Sequence, residues 1–382
     1  MKPNSAISSQ KKTLWAGLSF TVLFVIQQLI AFTWKPFNLV TPYWIFYLLV
    51  IMVIAINNWN KIVQQKDAFV FFLVTAIGSF FSFFVGEKIG VCEEKAICSF
   101  VGLVGLCYLN SHRINLKVFE ITFILLYVYF TFSYFVLDIS VRLDLDDHMF
   151  GISSSNTIAI ILNVVWILYY IIAKSYGNNV KQKSLLVISI INLIAIVLQG
   201  SRIGIVVAAI NCFLSVSDYV KIIRRYFLVV VFFGAYLFLN YGSSLGEIME
   251  FQQMQGLESY NEDVRSQTQA AFFSKLSFIN GLFGFPNSTR FAGWNRTFNA
   301  FLDYWRQFGG VAFAFLVFFI IKRVVKNKQY YVPLVAFVSL FVYSFIESIW
   351  GATLFDVLIY ITLFYSNEKS FVFFEEEAKK AS

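Results

Sequence analysis

Long apolar runs alternate with short polar breaks along most of the chain. A helix crosses the ~30 Å hydrocarbon layer of a bilayer with about 20 apolar residues, within a range of roughly 17–25. Runs near that length occupy roughly 13–34, 41–57, 68–86, 93–110, 117–137, 157–173, 184–200, 203–217, 226–241, 307–321, 331–349 and 351–366. The pattern predicts an all-α polytopic membrane helix bundle of about twelve transmembrane helices, one integral membrane domain over 1–382. Glu93, Glu94 and Lys95 stand at the head of the fourth run and are expected at or outside its edge. The first run is longer than the ~7–15 residues of a signal-peptide core, and no small-residue cleavage site follows it. It reads as an uncleaved first helix.

Connections between the runs are short, as in a helix bundle, with one exception at 242–306 between the ninth and tenth runs. Unstructured connections beyond about 12–15 residues usually carry function. A shorter loop from Asp138 to Asn156 holds Arg142, His148 and several acidic residues. Twelve spans place both termini on one side, and the Lys/Arg distribution says which. Twenty of the 30 basic residues fall on the side of the termini, and five of the other ten lie in or at the end of the long loop. Both termini are expected in the cytoplasm, with the long loop on the outer face.

Composition agrees with this picture. Hydrophobic residues make up 58% and charged residues 14% of the 382 positions, and mean hydropathy is +0.69. Soluble domains run near ~45–50% apolar and ~25% charged. A soluble enzyme, a disordered scaffold and a disulfide framework are excluded. The net charge of +8 follows the membrane-orientation rule and is not read as a nucleic-acid signal. Cys92, Cys98, Cys107 and Cys212 have no metal-ligand spacing and read as thiols packed within helices. No HExxH, clustered Cys/His, Walker or Rossmann pattern occurs, so neither a metal nor a nucleotide cofactor is expected.

The polar residues that remain are informative. Gln199-Gly200-Ser201-Arg202-Ile203-Gly204 joins two runs almost without a loop and sets Arg202 at the outer membrane interface. An arginine there is a functional candidate by default, although Gly200 and Gly204 also suit close helix packing. In the long loop, Val264-Arg265-Ser266 opens a stretch that reads as helical through Phe273 and leads to Gly281-Leu282-Phe283-Gly284-Phe285-Pro286. Arg290, Arg296 and Arg306 follow among Phe291, Trp294, Phe298, Tyr304 and Trp305. Guanidinium forks bind phosphate oxygens, and aromatic faces stack on sugars, so the mixture fits a phosphorylated glycan. Gln27, Gln28, Asn163, Asn192 and Asn211 either line a path or join helices by hydrogen bonds, the commoner use. Gly78, Ser82 and Gly86 recur every four residues and predict a packing face. Glu347 and Asp356, near the outer ends of the last two runs, are placed to offset an arginine or act as a base.

Four of these stretches, in order, resemble the O-antigen polymerase and ligase superfamily of bacterial envelopes. They are Gly151-Ile152-Ser153-Ser154-Ser155-Asn156-Thr157-Ile158-Ala159, preceded by Arg142; Gly200-Ser201-Arg202-Ile203-Gly204; Arg265 followed by Gly281-Leu282-Phe283-Gly284-Phe285; and Asn299-Ala300-Phe301-Leu302, with Gly309 leading into a helix. The motifs span about 140–320. The resemblance implies a metal-independent, GT-C-like glycosyltransferase at the periplasmic face of the bacterial inner membrane. Its substrates would be glycans linked to undecaprenyl diphosphate, and a chain-length regulator would be its partner. Ligases of the superfamily carry a histidine just before the Asn-x-aromatic-Leu pattern, where this chain has Phe298, so polymerase is favoured over ligase.

In that reading Arg202 and Arg265 stabilise the leaving diphosphate and Asp303 is a catalytic carboxylate. Arg290 and Arg296 hold the second lipid diphosphate, and Asn299, Arg142, Glu258 and Glu347 complete the substrate-binding candidates. Asp303, Glu258 and Glu347 are equal candidates for the base. A ligase joining polymer to lipid A-core and a flippase for lipid-linked oligosaccharide are the rival readings. A flippase is expected to line its spans with charges and needs no long outer loop.

Overall fold

The computed structural model of the protein describes residues 3–26, 40–86, 89–135, 155–175, 182–199, 202–217, 266–286, 288–294, 297, 299–325 and 353–365. Every regular element among them is helical, and strand-like pairing is limited to one bridge between Phe291 and Trp294. Helix α1 (Pro3–Phe20) runs on through a π-helical turn at Thr21–Ile26. Then come α2 (Val40–Asn57), α3 (Trp59–Gln64) and α4 (Lys66–Phe81), the last extended by a 3-10 turn at Ser82–Val85. Helices α5 (Ile89–Ser111), α6 (Leu116–Phe135), α7 (Ser155–Ser175), α8 (Gln182–Gln199) and α9 (Arg202–Ser217) follow. The final group is α10 (266–274), α11 (Phe278–Phe283), α12 (Ala300–Val325) and α13 (Thr353–Phe364).

Helices therefore stand where the apolar pattern expects them, and the runs at 226–241 and 331–349 lie outside the described residues. Two helices, Lys66–Val85 and Ala300–Val325, are long and apolar enough to cross a membrane. Shorter apolar helices cover Trp44–Asn57, Ala159–Ala173, Ser184–Val197 and Ile203–Phe213. The fourth run needs a correction. Its helix begins at Ile89, so the charged triplet lies inside it, with Glu93 and Glu94 exposed and Lys95 buried.

Two groups of helices pack closely. Helices α7, α8 and α9 pack mutually, with α6 against α8. In the other group α4 lies between α5 and α12, and α13 runs along α5. Helices α4 and α12 are antiparallel: Asp67 pairs with Lys322 at 2.7 Å at one end, and Gly78 meets Phe308 at the other. A side chain at Gly78 would put a Cβ 2.3 Å from the Phe308 carbonyl oxygen. Ser82 is buried and its hydroxyl bonds the Ser79 carbonyl at 2.6 Å. Gly78 thus packs on α12, whereas Ser82 meets the Cys92 thiol of α5 at 3.3 Å, so the two are contact positions against different helices. Gly86 makes no such contact: it ends the helix at φ 91 with nothing among the described residues within 4 Å. A left-handed terminal residue is glycine's usual place at a helix C-terminus.

Candidate functional site

The stretch 266–310 folds as a frame built on two facing glycines. Helix α12 contains a break at Gly309, where φ is 80 and ψ is 168. That region is open almost exclusively to glycine. A break in a helix deprives the preceding carbonyls of their intrahelical partners, and here other groups supply the bonds. The Arg306 carbonyl accepts the Phe285 N–H at 2.7 Å, and the Gln307 carbonyl accepts the Lys95 ammonium at 3.3 Å. Across the contact Gly284 has φ 86, and a Cβ there would lie 2.4 Å from the Arg306 oxygen. A Cβ on Gly309 would lie 2.2 Å from the Leu282 oxygen. The indole N–H of Trp305 closes the joint on the Gly281 carbonyl at 2.8 Å. The Gly281–Phe285 motif and the segment after Asn299 are thereby locked backbone to backbone.

The first turn of α12 is equally determined. Asn299 caps it: Oδ1 accepts the N–H groups of Phe301 at 3.0 Å and Leu302 at 3.2 Å, the usual work of an N-cap side chain. Asp303 reaches back, accepting the Thr297 N–H at 3.0 Å and Arg306 Nε at 3.1 Å. Asp303 is fully buried and Arg306 nearly so. Thr268 of α10 donates to the Thr297 carbonyl at 3.2 Å, which ties the start of the frame to its end. Asn299 and Asp303 are engaged inside the frame, and their geometry is that of positioning residues.

The aromatics of this stretch need a correction as well. The sequence offers Phe291, Tyr304 and Trp305 as stacking surfaces for sugars, but Phe291 and Tyr304 are buried and Trp305, half-buried, packs on neighbouring rings. Phe272, Phe285 and Phe291 form a separate small core against Trp305. Trp305 stacks on Phe313 at 5.1 Å, and Tyr304 is buried with its hydroxyl 3.0 Å from that of Thr75. So short a segment holds its shape only by burying most of its large side chains. Trp294, at the turn, is only half-buried.

A second polar constellation organises α7, α8 and α9. Asn163 Oδ1 accepts the side-chain amides of Asn192 and Asn211, each at 3.0 Å, and its own amide donates to the Gly204 carbonyl at 3.1 Å. All three asparagines are fully buried. They join helices and do not line a path. The acceptor of this bond is the last residue of the Gly200–Gly204 motif, so the bond fixes the backbone two residues after Arg202, where α9 opens. Replacing Asn163 with leucine leaves buried donors and an acceptor unpaired, at roughly 1–3 kcal/mol each before relaxation. Asn163→Leu is expected to lose about 2 kcal/mol of stability in unfolding of the purified protein. Unfolding at the wild-type midpoint would mean that the triad does not hold these helices.

Among the other expected site residues, Arg290 is exposed on the turn after Pro286, and its carbonyl accepts the Lys275 ammonium at 2.6 Å. The backbone of Arg202 starts α9; its side chain lies outside the described residues, as do Arg142, Glu258, Arg265, Arg296 and Glu347. Sequence reasoning passed over Lys95. Its signal is the spacing of Lys95, Ser99 and Gly102 along one face of α5, the face that meets α12 and α13. The Ser99 hydroxyl pairs with that of Tyr360 at 2.7 Å, and a Cβ at Gly102 would lie 2.9 Å from the Asp356 carbonyl oxygen. Asp356 is buried there, and its Oδ2 has no hydrogen-bond partner among the described residues. Comparison of the chain with protein-family models and with curated proteins finds no match.

Proposed function

We propose that the protein is a polytopic inner-membrane glycosyltransferase of GT-C-like architecture. It joins undecaprenyl-diphosphate-linked oligosaccharide repeat units into O-antigen or a related surface polysaccharide at the periplasmic face. The observation that carries this reading is the pairing of the four motifs. Asn163, just beyond the first motif, holds the Gly204 carbonyl of the second, and the glycines of the third dock on the broken helix of the fourth. Segments distant in sequence, resembling one superfamily in order and sidedness, are thus tied in pairs.

Membrane placement is supported by outward apolar faces. Ile45, Phe46, Leu49, Met52, Val53 and Ile56 are exposed along α2, as are Ile121, Ile124, Leu125 and Val128 along α6. Contiguous apolar faces of that extent are unfavourable in water and normal against lipid. In the reaction, a hydroxyl of one lipid-linked repeat unit attacks the anomeric carbon of the growing chain. The bond to the diphosphate breaks, and the diphosphate leaves with the electron pair. Arg202 and Arg265 stabilise that charge, while Arg290 and Arg296 hold the second diphosphate. Asp303 and Asn299 keep the frame in register. The proton of the attacking hydroxyl passes to a carboxylate, for which Glu258 and Glu347 are the candidates.

Deletion of the coding sequence followed by an electrophoretic lipopolysaccharide profile tests the function. A polymerase predicts that the ladder collapses to a single repeat unit on the core, restored by the plasmid-borne gene. Loss of all repeats from the core, with polymer left on the lipid carrier, would identify a ligase. An unchanged ladder, together with unchanged capsule, would overturn the proposal.

A further inference from the structure

Helix α11 and the residues before it carry an apolar edge that no other described residue covers. Phe278 is 83% exposed, Ile279 56% and Phe273 55%. The same short stretch is firmly held on its other side. Ser277 Oγ caps it by accepting the Asn280 N–H at 3.1 Å, and Gly281 receives the Trp305 indole. The exposure therefore belongs to a fixed surface. That surface continues another one: the Phe283 ring packs against Phe81 at 5.6 Å and Phe84 at 6.2 Å, at the end of the apolar segment Lys66–Val85. Phe80, Phe83 and Phe84 are themselves exposed at that end. The outward apolar face of a helix long enough to span a membrane adjoins the frame through the ring of Phe283. At its rim Lys275 turns its ammonium back to the Arg290 carbonyl.

We infer that Phe273, Phe278 and Ile279 form a foot by which the frame rests in the adjoining lipid leaflet, at the boundary between headgroups and acyl chains. Lipid is favoured as the occupant by continuity: through Phe283 these side chains adjoin Phe81 and Phe84 at the end of the membrane-length apolar segment. Aromatic residues are characteristic of the lipid interface. The inference rests on the membrane reading above. Its consequence for that reading is a fixed depth: the foot holds the Gly284–Gly309 joint at the level where a lipid-linked diphosphate emerges.

The test places a fluorophore on one cysteine at a time, in full-length protein with Cys212→Ser, the other three cysteines being buried. The positions are Phe278→Cys, Leu49→Cys on the outward face of α2, and Ser288→Cys on the exposed turn. Protein is reconstituted in phosphatidylethanolamine–phosphatidylglycerol vesicles and titrated with nitroxide-labelled lipid or aqueous iodide. Nitroxide lipid is expected to lower emission about twofold at 49 and at 278. Iodide is expected to act chiefly at 288. Iodide quenching at 278 equal to that at 288, with 49 still quenched by lipid, overturns the foot and leaves the membrane reading intact. A label at 49 that ignores nitroxide lipid overturns both.

Discussion

Gly309→Ala is expected to cost about 3 kcal/mol and to open the frame, because two penalties act at one residue. An L side chain at φ 80 and ψ 168 is strained before any contact is considered. Its Cβ would also meet the Leu282 carbonyl oxygen at 2.2 Å, a backbone atom that cannot swing aside as a side chain does. Moving that carbonyl disturbs the neighbouring Phe285–Arg306 and Trp305–Gly281 hydrogen bonds. The control is Gly86→Ala, at φ 91 with no atom of the described residues within 4 Å. Strain acts there alone, at about 1–2 kcal/mol. Thermal unfolding and limited proteolysis within 266–299 measure both variants. Gly309→Ala should unfold at the lower temperature and be cut faster in the frame. Equal behaviour of the two would show that the backbone contact contributes nothing.

Arg202→Ala and Arg265→Ala are expected to lower polymer output about 10²-fold or more, with wild-type amounts of protein in the membrane fraction. That is the scale seen when a donor to a developing negative charge is removed. The backbone at Arg202 is held from inside by Asn163 through Gly204. A longer or more mobile substitute cannot then compensate by shifting the helix. Arg202→Lys should accordingly recover little, since an ammonium does not reproduce a bidentate fork. Long chains at normal yield from the Arg202 or Arg265 variant would remove that residue from the mechanism.

The helices were legible in the sequence because their signal is simple: apolar length bounded by charge. The asparagine triad was legible for a related reason, since a buried amide within an apolar run needs a partner on another helix. Gly78 was readable as a contact by its spacing from Ser82. What misled was ambiguity of kind. Phe291, Tyr304 and Trp305 read as platforms for a ligand, but an aromatic that packs a small core and one that stacks on a sugar look the same in sequence. Gly86 matched the four-residue period by coincidence and serves to end a helix. The run at 307–321 passes through Gly309 with no outward sign of a break, although the motif reading of Gly309 as the lead into a helix matches the residues after it. Lys95 looked like an edge residue because charge was weighed against lipid alone. The freed Gln307 carbonyl that receives it exists only once the break in α12 is known.

The contacts across α4 also impose an order in time. Thr75 bonds Tyr304 across 229 residues of sequence, and Lys95 reaches Gln307 across 212. At ribosomal rates of ~5–20 residues per second, that separation is roughly 10–40 s. Helices α7, α8 and α9 can complete their asparagine junction during this interval, whereas Thr75 and Gly78 of α4 must wait for Tyr304 and Phe308. The nascent chain thus carries one finished helix junction and one whose second half is still to be synthesised.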